Sequence, residues 1–122
     1  MIKNIAAVGA GSFIGGAARY LASFAMKGIG KGFPWATLVV NVLGCFLIGL
    51  LWGYFSRYAN EGNSWALFLT VGVCGGFTTF STFSKEALIM LQSGNVWGFA
   101  AYVAVSVIVG IALVALGYFL VR

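Results

Sequence analysis

The sequence predicts an all-α membrane protein with four transmembrane helices, on three observations. The chain of 122 residues is 61% hydrophobic and only 7% charged, whereas about a quarter of the residues of a soluble domain are charged. Four apolar segments follow one another, each long enough to cross a bilayer core of ~30 Å with ~20 helical residues. The links between them are short and carry Gly, Asn and Ser, as turns do. Alternation over ~10 residues, the mark of a membrane barrel strand, is absent. A single four-helix domain over residues 1–122 is expected, with no soluble one beside it.

The first helix is expected over about residues 4–26. Lys3 followed by apolar residues has the outline of a signal peptide, but Arg19 interrupts before a convincing cleavage site, so the segment reads as a retained helix. The second, at about 34–58, begins at Phe33-Pro34, a helix-start signal. The third covers about 64–92 and the fourth about 96–121. Gly11 and Gly15, Gly49 and Gly53, and Gly72 and Gly76 each have the G-x-x-x-G spacing that lets membrane helices approach closely. With eighteen glycines in the chain, that spacing indicates a tight bundle without naming partners.

The net charge is +5, and the basic residues punctuate or flank hydrophobic runs. They read as anchors to the headgroups of a lipid bilayer. No basic helix face of the kind that tracks phosphates is visible, so no nucleic-acid partner is expected. With four crossings, one side carries Lys3, Arg57 and Arg122 with Glu61 opposing, and the other carries Lys27 and Lys31. That difference is too small to decide orientation under the positive-inside rule. Insertion in both orientations stays open, and two oppositely inserted copies could pair as an antiparallel homodimer. The chain has no His, and Cys45 and Cys74 sit inside apolar runs as small packing residues. Neither a disulfide framework nor a side-chain metal site is expected.

Within the third segment, Gly75 to Ser84 reads GGFTTFSTFS, placing five hydroxyls and three phenyl rings where an anchor would use Leu, Ile and Val. Polar groups in hydrocarbon need partners. Paired glycines weaken a helix, and Thr78 and Thr79 compete for its backbone hydrogen bonds. A local break over Gly75 to Thr79 would free carbonyls, which a cation or a neighbouring helix could satisfy; alternatively the glycine pair only lets two helices touch. Phe77, Phe80 and Phe83 recur every three residues, beside Ser81 and Ser84, with Thr78 and Thr82 four apart. Asn41, deep in the second segment, could join two helices or donate to an anion. Arg19 and Glu86 are intramembrane ionisable residues and functional candidates by default, although Arg19 could also snorkel to the interface. Hydroxyl and amide donors, positive phenyl edges and few acids favour a small anion over a cation.

GGFTTFSTFS in the third helix, TLVVN in the second and an arginine in the first together resemble the Fluc (CrcB) fluoride channels of microbes. The resemblance runs over almost the whole chain, in length, number of segments and motif order. It implies a passive, selective fluoride channel, not an enzyme, built as a dual-topology homodimer with two pores in the cell inner membrane. By this resemblance Phe80 and Phe83 meet fluoride with their ring edges and Asn41 supplies an amide donor. Ser81 and Thr82 belong to the hydroxyl track, with Thr37, Tyr102 and Ser106 as further candidates. Arg19 and Glu86 would lie towards the pore entrances. The carbonyls of Gly75 and Thr78 would hold a structural Na+ at the dimer centre. The competing class is a small multidrug-resistance-type transporter, which depends on a first-helix Glu; here that helix carries Arg19 and no acid. A non-transporting assembly subunit would explain the glycines and aromatics but leaves the hydroxyls without a purpose.

Overall fold

Among the described residues are four helical spans long and apolar enough to cross a membrane. The computed structural model describes residues 1–29, 32–58, 60 and 62–121. Helix α1 spans Ile2–Ala25, α2 spans Trp35–Tyr58 and α6 spans Val96–Val121. Between α2 and α6 lies the third span, Ser64–Gln92. It is built from α3 (Ser64–Leu67), a π-helical stretch (Phe68–Cys74), α4 (Gly75–Phe77) and α5 (Phe80–Gln92). Lys31, Glu61 and Arg122, used above to weigh orientation, lie outside the described residues.

The turns are written in the sequence. Ser93, Gly94 and Asn95 end one helix and start the next. Gly94 N–H donates to Leu91 O at 3.1 Å and Asn95 N–H to Met90 O at 2.9 Å, a paired C-terminal cap that puts Gly94 at φ 85°. Only glycine adopts that conformation without steric cost. Asn95 then caps α6, its Oδ1 accepting from Gly98 N–H at 2.9 Å. Asn63 does the same for α3, accepting from Ala66 N–H at 2.8 Å. Pro34 sits immediately before α2, its carbonyl accepting from Leu38 N–H at 3.2 Å.

The glycine pairs find definite partners. Gly11 and Gly15 of α1 face Gly72 and Gly76 of the third span: a Cβ on Gly72 would lie 2.9 Å from Gly11 Cα, and one on Gly76 would lie 2.6 Å from Ser12 O. Gly49 and Gly53 of α2 face α6, where a Cβ on Gly53 would lie 2.8 Å from Tyr118 O. Gly117 returns the contact, a Cβ there falling 2.6 Å from Phe46 O. In lipid, helix association depends on such close packing, because exclusion of apolar surface from water no longer drives it. The result is two tight pairs, α1 with the first half of the third span and α2 with α6, while α5 packs on α6. Leu38, Ala87, Met90 and Tyr102 form a buried apolar cluster where α2, α5 and α6 meet.

Candidate functional site

The main chain leaves helical geometry near the middle of the third span. Thr78 has φ −85° and ψ 160°, and Thr79 has φ −149° and ψ 124°, both extended. Side chains from this span and from two other helices take over the bonds that continuous winding would have made. Asn41 of α2 pairs with both main-chain groups of one residue: Thr79 N–H donates to Asn41 Oδ1 at 2.8 Å, and Asn41 Nδ2 donates to Thr79 O at 3.0 Å. The Thr78 hydroxyl donates to Cys74 O at 3.0 Å. Thr79 Oγ1 accepts from Thr82 N–H at 3.2 Å and caps the start of α5. From the other side, Arg19 Nε of α1 donates to Gly76 O at 3.2 Å.

Among the oxygens passed over in this exchange, those of Gly75 and Thr78 can be traced to diverted donors. In a continuous helix Thr79 N–H would bond Gly75 O and Thr82 N–H would bond Thr78 O. Both donors are diverted, to Asn41 and to Thr79 Oγ1. Gly75 and Thr78 therefore present carbonyls without their helical donors, the type of oxygen that replaces a cation's hydration shell. This pair alone is fewer ligands than a stripped cation takes.

Beside this segment is a cavity of about 400 Å³ lined by Asn41, Thr70, Gly75, Thr78, Thr79, Phe80, Phe83 and Ser106, with apolar residues between them. Ser106 Oγ is buried and, among the described residues, has no hydrogen-bond partner, so its O–H is a donor available to the cavity. The second Nδ2 hydrogen of Asn41 is not used by either bond to Thr79. Phe80 and Phe83 lie with ring centroids 5.9 Å apart, and Phe83 continues to Tyr102 at 4.9 Å. Phe80 is 78% exposed, so one chain does not enclose it.

Below Phe83 is a second polar group. Tyr102 is fully buried, and its hydroxyl donates to Glu86 Oε1 at 3.1 Å. The buried Thr37 hydroxyl sits against the same phenol. The carboxyl group, phenol and threonine thus form a chain of polar contacts running from α5 through α6 to α2, with the Phe83 ring tilted against its tyrosine.

The sequence-derived candidates divide accordingly. Asn41, Gly75, Thr78, Phe80, Phe83 and Ser106 come together at the cavity. Thr37, Tyr102 and Glu86 meet next to it. Thr82 lends its N–H to the α5 cap, and Ser81 is exposed; neither lines the cavity. Arg19 lies beside Gly76, level with the extended residues and away from either end of the third span. The expected stripe of three phenyl rings is shorter than the spacing suggests. Phe77 belongs to α4, and the extended residues between it and Phe80 break the shared helical face. Thr79 was marked from sequence only as a residue that competes for helix hydrogen bonds, and Thr70 was not singled out at all. Thr79 caps α5 and anchors Asn41, a role hinted at by its position before the helix-favouring run. Thr70 lines the cavity from a π-helical stretch that no compositional signal marks.

With this geometry in view, the relatives are informative. Residues 6–118 match the family model described as CrcB-like protein, Camphor Resistance (CrcB). The chain belongs to the CrcB family. Curated relatives of this CrcB-family chain span its length. A protein of Agrobacterium fabrum is 45% identical over 120 residues, covering 98% of this chain and 96% of the relative. One of Phocaeicola vulgatus is 44% identical over 117 residues, covering 95% and 96%. One of Desulfotalea psychrophila is 38% identical over 119 residues, covering 98% and 92%. Each of the three is described as a fluoride-specific ion channel FluC. The cavity residues and the extended segment all fall inside the matched range.

Proposed function

We propose that this chain is a passive, selective fluoride channel that lets cytoplasmic fluoride leave down its electrochemical gradient. The observation that carries it is the set of donors around one cavity: two phenyl rings, an amide hydrogen and a buried hydroxyl, in a span otherwise fit for lipid. Fluoride enters cells as neutral hydrofluoric acid and ionises in a more alkaline interior, where it is trapped. A pore that replaces its water shell lets the anion out, and a negative-inside membrane assists by ~2.3 kcal/mol per charge per 100 mV. The extended segment suits this task from both ends. The N-terminus of α5 presents N–H groups and the positive end of a helix dipole towards Phe80 and Ser81, favouring an anion. The turn before it presents the Gly75 and Thr78 carbonyls, favouring a cation.

The working unit in this proposal is an antiparallel homodimer in the cell inner membrane. Phe80, largely uncovered in one chain, would then be enclosed by the second copy. Four carbonyls, two from each copy, would hold a structural Na+ on the twofold axis. That ion supplies fixed positive charge beside the anion paths. Phe80, Phe83, Asn41 and Ser106 would contact fluoride, with Ser81 and Thr82 on the hydroxyl track. Thr37, Tyr102 and Glu86 would continue the route past Phe83, and Arg19 would add positive charge near the middle of the third span.

Reconstitution in liposomes tests the channel. Rapid fluoride efflux with negligible chloride efflux is expected, without ATP or a proton gradient, measured with ion-selective electrodes. Equal rates for the two anions would remove selectivity, and fluoride retention equal to that of protein-free vesicles would remove the channel. Dual insertion is tested separately by cysteine labelling of the link between α1 and α2, for instance at Lys27. Impermeant reagent should modify it from both faces of the membrane; modification from one face alone would contradict the antiparallel pair.

A further inference from the structure

We propose that Asn41 is a positioning residue for the Gly75 and Thr78 carbonyls, holding the extended segment open so that these oxygens stay free of helical donors. The inference deepens the sodium reading above and rests on it. It assigns Asn41 a second task, distinct from contact with the anion.

The chemistry of the side chain fits the task. Thr79 offers one N–H and one C=O, and a primary amide offers a complementary acceptor and donor in a single plane. The two bonds, at 2.8 and 3.0 Å, satisfy both main-chain groups of Thr79 at once. Aspartate could accept but not donate when ionised, and an aliphatic residue could do neither. The approach of α2 is also prepared. Gly44, one turn after Asn41, faces Thr78, and a Cβ there would overlap the Thr78 methyl group. A bare backbone at Gly44 thus lets α2 come close enough for the Asn41 amide to reach Thr79.

The competing state is ordinary helix. In hydrocarbon an unpaired N–H is costly, and the nearest remedy for Thr79 N–H is the Gly75 carbonyl one turn back. Asn41 removes that incentive by supplying a better-placed acceptor. Arg19 acts on the opposite flank, bonding Gly76 O at 3.2 Å. Between them, α1 and α2 satisfy Gly76 and Thr79 and pass over Gly75, while the Thr79 hydroxyl so held diverts the helical donor of Thr78 O. Without Asn41, Thr79 N–H can return to Gly75 O, and the cation loses a ligand that Asn41 itself never touches.

The test is a sodium titration of the thermal unfolding of the purified dimer in fluoride-free detergent solution, with N-methylglucamine keeping ionic strength constant. Wild type, Asn41→Ala, Asn41→Asp and Ser106→Ala are compared. Wild type should gain stability with sodium. Asn41→Ala should raise the sodium concentration at half-effect by about tenfold or more. Asn41→Asp, isosteric and able to accept from Thr79 N–H, should show a smaller rise, and it carries the test if Asn41→Ala does not assemble. Ser106→Ala alters the same cavity without touching Thr79 and should keep the wild-type midpoint. An unchanged midpoint in the assembled Asn41 variants overturns the positioning role while leaving sodium in place. A Ser106→Ala shift equal to that of Asn41→Ala overturns it too. A wild-type dimer indifferent to sodium overturns the sodium reading, and the positioning role with it.

Discussion

Replacing Phe83 or Phe80 by isoleucine is expected to lower fluoride flux about 100-fold, the effect of ~3 kcal/mol on a barrier. Isoleucine keeps most of the apolar bulk but has no quadrupole, so it offers no positive edge to a halide that has given up its water. The two sites separate conduction from packing. Phe80 is 78% exposed in the single chain, so Phe80→Ile should leave the protomer's own stability almost unchanged. Phe83 packs in a tilted ring contact on Tyr102 at 4.9 Å and adjoins the buried cluster of Leu38, Ala87 and Met90. Phe83→Ile should therefore also cost about 1 kcal/mol, from lost aromatic contact. Flux is read in liposomes and assembly by size-exclusion chromatography. Wild-type flux from both assembled variants would remove the rings from the mechanism.

The four spans were legible because hydropathy is a local property, readable from ~20 residues at a time. The turn at Ser93–Asn95 was legible for the same reason: glycine and asparagine at fixed offsets specify the end of one helix and the cap of the next. Longer-range facts were not. The glycine spacing announced close packing, but nothing local says that Gly11 and Gly15 meet Gly72 and Gly76, or that Gly49 and Gly53 meet α6. Asn41 could be marked as polar at membrane depth, yet its partner lies 38 residues along the chain. That partner is a main-chain group, which has no signature in sequence. Helical spacing also misled where the helix stops. Counting Phe77, Phe80 and Phe83 as one stripe assumes continuous winding, and Thr78 and Thr79 are extended. The pairing of Glu86 with Tyr102 across two helices was likewise invisible, although each residue could be named a candidate alone.

The second large effect is expected at Gly15. A Cβ there would overlap the Val73 carbonyl and lie 2.8 Å from Phe77 N, and neither obstacle is a side chain that can turn aside. Overpacking of this kind costs about 1–3 kcal/mol where neighbours can shift, and a backbone-to-backbone contact lies at or above the upper end. Gly15→Val should therefore separate α1 from the third span. The consequence reaches the site, because Arg19 lies one turn beyond Gly15 on the same face of α1. Pushing the helix outward withdraws Arg19 Nε from Gly76 O, leaving a part-buried carbonyl unsatisfied beside the extended segment. Loss of thermal stability and of flux should thus appear together in this variant. Gly9 is the matched control: it lies on the same helix, with nothing within 4 Å of its added Cβ. Gly9→Ala should leave flux intact and hold or slightly raise stability, since alanine favours helix over glycine by about 1 kcal/mol. Because alanine improves helix propensity, equal damage at Gly9 and Gly15 would mean that close approach to the third span is not what makes Gly15 sensitive.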